Sequence, residues 1–327
     1  MEKLKILILV RPFWHKFPIH KVFFDTIQTI GKFADVRYWY HNGDIYDIIH
    51  ELNFKPDFIL HYDIAWGSVL SPSISGLDQI NIPKGCFVID THFNTAIRRK
   101  YFDQNKTDLI FSVTKASFLR TFPEYKEKFR WLPFAINPEV FKDWHINKEI
   151  DYLLMGAVND PEGKTPNLSK TGKGIYPFRE EVLVKMRGEE GFVFHPHPGL
   201  HGKEEMGTFI NKDYAKELNR SKTFFTCGSR REYPVLKFFE APACKTLLLA
   251  EPVPDILDLG FEDGVNFVAC NKVNVHEKAL YYIKNDEERQ RITENGYSFI
   301  HNHHTNDVRA QELVAYIKSY IDVGRTH

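Results

Sequence analysis

The sequence predicts an α/β chain built as two Rossmann-like domains, each a doubly wound parallel sheet, and three observations carry this expectation. The chain has 327 residues, beyond the size at which one core usually stops growing, so two domains of roughly 150 residues are expected. Short apolar runs alternate with amphipathic stretches from the first residues onward. Near the middle the alternation stops at a proline-bracketed stretch, and then it starts again.

In the first half, residues 5–10, 36–40, 58–61, 86–89 and 109–113 read as strands. They are continuous in Ile, Leu, Val and Phe, as strands covered on both faces of a parallel sheet must be. Trp131-Leu132-Pro133-Phe134-Ala135-Ile136-Asn137-Pro138 and the polar stretch behind it mark the boundary. The expected division is 1–140, 141–305 and a terminal helix over 306–327 that packs back toward the first domain. In the second half the strands fall at 152–155, 192–194, 223–226, 246–250 and 265–269. Helices are expected at 177–186, 213–219, 233–244, 275–283, 286–295 and 307–320. Residues 159–175, with three Lys, three Gly and two Pro, read as a lid or phosphate-side loop. Ligands of such sheets bind outside the carboxyl ends of the strands, so a cleft between the domains is the expected site.

Composition narrows the function. Lys plus Arg equals Asp plus Glu at 43 each, so no overall field draws the chain to nucleic acid or to an anionic membrane. Cys86, Cys227, Cys244 and Cys270 are far apart in sequence and form no C-x-x-C pair. A reduced, cytoplasmic protein without a disulfide framework or zinc ribbon is expected. The first apolar run is too short for a signal peptide, and no run reaches the ~20 residues that span a bilayer.

The most informative stretch is 228–244, GSRREYPVLKFFEAPAC. On a helix starting near Pro234, Glu232 occupies the first turn and Glu240 follows about two turns later on nearly the same face, roughly 12 Å away. That separation suits an extended nucleotide sugar, with one carboxylate on sugar hydroxyls and the other on the ribose. Free N–H groups at the helix start, with Ser229, Arg230, Arg231 and Tyr233 beside them, would hold the diphosphate. The plain alternative is a helix-start charge and a solvated or paired glutamate. Lys237 reads as a phosphate contact or, slightly better, as a snorkelling helix residue.

The run Lys237-x-x-Glu240-Ala241-x-Ala243-Cys244-x-Thr246-Leu247-Leu248-Leu249 resembles a segment of retaining GT-B glycosyltransferases, especially the spore-maturation CgeB-like and family 1 and 4-like group. Residues 131–141, 152–156, 176–179 and 297–309, including Gly156 and the Tyr176-Pro177-Phe178-Arg179 helix start, are similar to further segments of these enzymes in the same order. The resemblance implies GT-B architecture, a donor site in the second domain, acceptor contacts from the first, and Glu232 and Glu240 as the E-x7-E pair. It further implies a UDP-sugar donor, hexosyl transfer with retention, no bound cofactor and no metal, because Arg, Lys and a helix N-terminus neutralise the leaving diphosphate. A glycan, a protein or a small molecule is the expected acceptor.

Secondary candidates sit at strand ends. Asp90-Thr91-His92 follows a first-domain strand, and two readings stay open: the donor-sugar contact that the GT-B resemblance implies for His92, or an Asp N-cap with a neighbouring histidine bonded to backbone. Asp63 is a candidate base on the acceptor side, and Trp14, in a loop lacking the usual glycines, a stacking surface. His195 and His197 close a second-domain strand and read as loop histidines near the donor. With His201, His301, His303 and His304 they invite a zinc reading, disfavoured because no H-E-x-x-H or cysteine set accompanies them. The competing functions are a GT-B-shaped epimerase or phosphorylase and a non-catalytic nucleotide- or glycan-binding protein.

Overall fold

The computed structural model describes residues 3–164, 171–199 and 208–325. It divides into two units, one of Met1–Lys16, Phe23–Pro133 and Asn306–His327, the other of Phe17–Val22 and Phe134–Thr305.

The first unit carries strands β1 (Lys5–Leu9), β2 (Asp35–Trp39), β3 (Gly43–Asp44), β4 (Phe58–His61), β5 (Ile74–Ser75), β6 (Lys84–Val88), β7 (Leu109–Ser112) and β8 (Phe129–Trp131). Its main sheet runs in the order β2-β1-β4-β6-β7-β8, and all its pairings are parallel. β3 and β5 form a two-residue side pair, which is too short to leave a sequence pattern. Central β4 and β7 are buried at every position while edge strands β2 and β8 are only half-buried. That is why the central strands read as unbroken apolar runs. Around the sheet lie α1 (Lys21–Thr29), α2 (Ile45–Glu51), α3 (Thr95–Gln104) and α4 (Ala116–Thr121).

The second unit holds β9 (Ile150–Gly156), β10 (Phe192–Pro196), β11 (Ser221–Thr226), β12 (Leu247–Ala250) and β13 (Val268–Ala269). Its sheet runs β10-β9-β11-β12-β13, again parallel throughout. Its helices are α5 (Pro177–Met186), α6 (Asn211–Asn219), α7 (Lys237–Ala243), α8 (Pro254–Asp258), α9 (Val275–Lys284) and α10 (Asp286–His303). Tyr152, Leu154, Phe178, Val182, Met186, Phe225 and Leu249 belong to one buried core under α5 and α9. The terminal helix α11 (Asn306–Arg325) packs on the first unit, where Tyr320 donates to Asp108 at 2.6 Å and Arg309 donates to the Pro133 carbonyl at 3.1 Å. Among the described residues no helix is long and apolar enough to cross a membrane.

Three expected elements differ in extent. The helix expected over 233–244 starts only at Lys237, because Tyr233 precedes a proline, which disfavours helical backbone, and residues 229–233 close into a turn. The expected strand 265–269 shrinks to Val268–Ala269, since Asp263 and Phe267 bridge across a turn. The helix expected over 286–295 runs on through Gly296 to His303. A glycine weakens a helix, but here it is a point of close approach: a Cβ on Gly296 would stand 2.6 Å from the Asn266 carbonyl and 3.4 Å from Pro242. Gly296→Val is therefore expected to cost about 2–3 kcal/mol by overpacking against a backbone group. Thermal unfolding checks it, with an expected fall of roughly 4–10 °C; an unchanged midpoint would show that the helix can shift away.

Candidate functional site

Both sheets share one topology: the second strand lies on one side of the first, and the third and later strands on the other. In such sheets the crevice opens at the carboxyl ends of the first and third strands, where the connections leave toward opposite faces. In the second unit these are the ends of β9 and β11, the positions of Gly156 and of Cys227-Gly228.

Two cations meet there. Arg179, in the first turn of α5, is 4% exposed and donates to the Ala157 carbonyl at 3.2 Å and the Cys227 carbonyl at 3.4 Å. Its guanidinium lies 4.3 Å from the Tyr176 ring centroid. Lys237, the first residue of α7, donates to the Met155 carbonyl at 2.9 Å. Gly156, at φ +149°, explains how both fit: a Cβ there would lie 3.3 Å from Arg179 Nη1 and 3.7 Å from Lys237 Nζ. Glycine keeps the space between the two cations open to a ligand. Burial first, and the Arg179 charge second, lower the Lys237 pKa to about 8.

One helical turn beyond Lys237 is Glu240, 5% exposed. Burial raises its pKa to about 7, with Lys237 and then the Tyr214 hydroxyl opposing the rise. Tyr214, from α6, is buried against this carboxylate, its ring centroid 5.1 Å from Lys237 Nζ. Among the described residues, neither the Tyr214 hydroxyl nor Arg179 Nε finds a hydrogen-bond partner of regular geometry. His197, past the end of β10, accepts from the Gly199 amide at 3.0 Å. Its pKa falls to about 4, through burial and then the charges of Lys237, Arg179 and His20. His20 belongs to the 17–22 segment, which groups with this unit and is tied to it by the Asn211 amide on the Pro18 carbonyl at 3.3 Å.

The remaining second-unit candidates separate from this cluster. His195 contacts Glu217 at 2.8 Å and Phe209 at 4.3 Å, and Glu217 also accepts from Arg220 at 2.9 Å. His301 and His304 contact the Ala243 and Leu259 carbonyls, so the zinc reading has no support in these contacts; His201 lies outside the described residues, as does part of the expected lid. Glu232 corrects the expected pair geometry. It is exposed, sits at φ +61°, and belongs to a turn in which its amide donates to Ser229 O and the Ser229 amide to Tyr233 O, each at 2.9 Å. Glu232 and Glu240 therefore do not share a helix face, and Ser229, Arg230, Arg231 and Tyr233 flank no helix N-terminus. Arg230 and Arg231 are exposed on this turn and Tyr233 is buried beneath it.

In the first unit the structure revises three expectations. Asp63 is fully buried in an ion pair, 2.6 Å from Arg98 Nη1. It also accepts from Arg98 Nη2 at 3.0 Å and from the Ala65 and Ile89 amides at 3.1 and 2.9 Å, so its oxygens are committed and do not serve as a base. Trp14 stacks on Phe24 inside an aromatic cluster with Phe13 and Tyr40, where it fills rather than displays. Asp90 is not an N-cap, since α3 begins at Thr95 with Asn94 before it; the Asp90 carbonyl accepts from Arg98 at 3.0 Å. His92 is half-buried on the same loop.

Sequence reasoning did not single out Arg179 or Tyr214, and it slightly favoured a snorkelling Lys237, whose ammonium instead donates to the Met155 carbonyl. The available signal was Arg179 one residue inside an apolar helix start, where a charge is buried only if it is held.

Residues 179–315 match the family described as glycosyl transferase-like, and this stretch begins at Arg179 and contains Lys237 and Glu240. No curated protein matches the chain. Among solved structures, a glycosyltransferase from Rickettsia africae is 12% identical over 98% of this chain and 99% of its own, with a TM-score of 0.62. Anabaena HepE, solved in complex with UDP-glucose, is 11% identical over 97% and 100%, with a TM-score of 0.55. Sucrose-phosphate synthase from Thermosynechococcus elongatus is 12% identical over 85% and 76%, with a TM-score of 0.53. The fold is GT-B. At these identities the likeness speaks for architecture alone.

Proposed function

We propose that this chain is a glycosyltransferase that moves a hexosyl group from a UDP-sugar to an acceptor, with retention and without a metal or other cofactor. The observation that carries the reading is the convergence of Arg179 and Lys237 on Gly156 at the switch point, with Glu240 a turn away. Two cations that repel each other in a dehydrated crevice are stabilised by a dianion between them, and a leaving nucleoside diphosphate is such a group. Their charge takes the place of a metal ion at the leaving group. Glu240 then accepts from the ribose hydroxyls, and the 229–233 turn with Glu232, Arg230 and Arg231 borders the transferred sugar. HepE, of the same fold, has been solved with UDP-glucose, and the family match over 179–315 covers these second-unit residues. Retention and the CgeB-like grouping rest on the sequence resemblance.

A thermal-shift series with UDP, GDP, TDP, ADP and CMP, with and without EDTA, tests the donor site. UDP is expected to stabilise the fold by about 2.7 kcal/mol at a hundredfold excess over Kd, with EDTA making no difference. Glu240→Ala should weaken this binding roughly 10–100-fold through the lost charge-assisted bonds. If no nucleotide stabilises the protein, the donor site is wrong, and a non-catalytic binding protein becomes the better reading.

A further inference from the structure

The first unit has a crevice of its own, at the carboxyl ends of β1 and β4, by the same switch-point topology. Two loops leave the same end of the sheet, 62–66 after β4 and 89–94 after the neighbouring β6. They are fastened together. Asp63 in the first accepts from the Ile89 amide of the second, Arg98 donates to the Asp90 and Phe93 carbonyls at 3.0 and 3.1 Å, and Asn94 donates to the Ala65 carbonyl at 2.8 Å. On top of this fastening Trp66 stacks on Phe93, ring centroids 4.3 Å apart and planes 21° from parallel. Trp66 is nonetheless 36% exposed, among the few large hydrophobic residues left in solvent.

We infer that the Trp66–Phe93 stack is the platform on which the acceptor binds, and that the acceptor presents a pyranose ring to it. This rests on the glycosyltransferase reading and adds the substrate class. A pyranose ring has one face of C–H groups, which sits on an aromatic plane, and a perimeter of hydroxyls, which needs donors and acceptors. The same loop supplies both. Asp90 and His92 stand three residues and one residue before Phe93 on the same loop. The apolar area is one indole wide, the size of a single ring rather than of a protein interface. Because buried bonds hold both loops, the platform is preorganised and a small ligand need not order it. Val69 and Ile97, 37% and 52% exposed, are further apolar residues on the surface of this unit. A lipid surface is the rival occupant they suggest.

Saturation-transfer NMR on the full chain separates these occupants, using methyl glycosides of glucose, galactose, N-acetylglucosamine and rhamnose as probes and cyclohexanol, a six-membered ring with a single hydroxyl, as the control. At least one glycoside is expected to receive saturation at its ring C–H protons, cyclohexanol none. Trp66→Ala should weaken that glycoside about tenfold, and Trp66→Phe should keep most of its binding. The UDP-induced thermal shift, measured on the same samples, should be unchanged in both variants. The inference is overturned if Trp66→Ala binds the glycosides as the wild type does, if none binds the wild type, or if Trp66 instead drives co-sedimentation with phosphatidylcholine–phosphatidylglycerol vesicles. A UDP shift without glycoside binding sinks only the platform; absence of both sinks the donor reading beneath it.

Discussion

Lys237→Met is expected to lower kcat/KM for a UDP-sugar by about 10²–10³-fold, the usual loss when one donor aimed at developing negative charge is removed, without lowering the melting temperature of the ligand-free protein. The two halves of this result have one cause. Half-buried Lys237 sits beside buried Arg179, and among the described residues its ammonium is bonded only at the Met155 carbonyl. In the ligand-free fold the charge is a burden, which the lowered pKa records. Methionine loses the carbonyl bond but also loses the repulsion and the dehydrated charge. Burial already pushes the Glu240 carboxyl up toward its neutral form, so it neutralises more readily when its cation goes. Arg179→Met should give the same loss of turnover but a clear fall in melting temperature, because Arg179 ties the ends of β9 and β11 together through the Ala157 and Cys227 carbonyls. Steady-state kinetics beside differential scanning calorimetry decides it. A destabilised but active Lys237→Met would make Lys237 a structural residue.

The same cluster fixes a pH dependence. The Lys237 pKa is lowered from 10.5 to about 8, so its folded-state benefit exists above 10.5 and is lost as pH falls through 8. The Glu240 pKa is raised from 4.5 to about 7, so its benefit exists below 4.5 and is lost as pH rises through 7. Between 7 and 8 the ligand-free site therefore carries both penalties, and this is the range in which Lys237 is charged and Glu240 ionised, as a diphosphate and a ribose require. UDP affinity should pass through a maximum there and fall about tenfold by pH 9. Lys237→Arg should remove the alkaline limb and Glu240→Gln the acid one. Calorimetric titration in buffers of different ionisation enthalpy should show proton uptake on the alkaline side. A flat profile from pH 6 to 9 would mean that neither group meets the ligand.

How far the sequence could be read depended on whether a signal was local. Strands β1, β4 and β7 were legible because burial on both faces demands an unbroken apolar run, and β9 and β11 stood out for the same reason. The start of α7 was not legible. Pro234 fits a first helical turn as well as it fits the loop it occupies, and only the Ser229–Tyr233 closure decides between them. That one ambiguity moved Glu232 off the helix and separated it from Glu240. Glu240 is singled out in the sequence by its surroundings. Arg179 and Lys237 were harder, because their partners are carbonyls of Met155, Ala157 and Cys227, groups every residue has and no side-chain pattern reveals. Trp14 and Trp66 show the same limit, since one aromatic is half-buried against Phe24 and the other left on the surface by contacts far apart in sequence.

Asp63 offers the sharpest test of what a buried carboxylate at a strand end is for. Were it the catalytic base, Asp63→Asn would remove turnover and leave stability nearly intact. The geometry points the other way. Both side chains of the Asp63–Arg98 pair are fully buried, and between them they engage Ala65, Ile89, Asp90 and Phe93. Removing one partner leaves a charge without a counter-ion inside the protein, so Arg98→Met is expected to cost about 3–5 kcal/mol. In a chain whose total stability is of order 5–15 kcal/mol, that is a large share. Asp63→Leu should cost a similar amount, and the double variant clearly less than the sum of the two, since it removes the stranded charge and leaves only the unpaired backbone groups. Chemical denaturation of the four proteins of this cycle measures the coupling. Strict additivity would mean that the pair does not act as a unit, and the two loops would then need another fastening to hold Trp66 on Phe93.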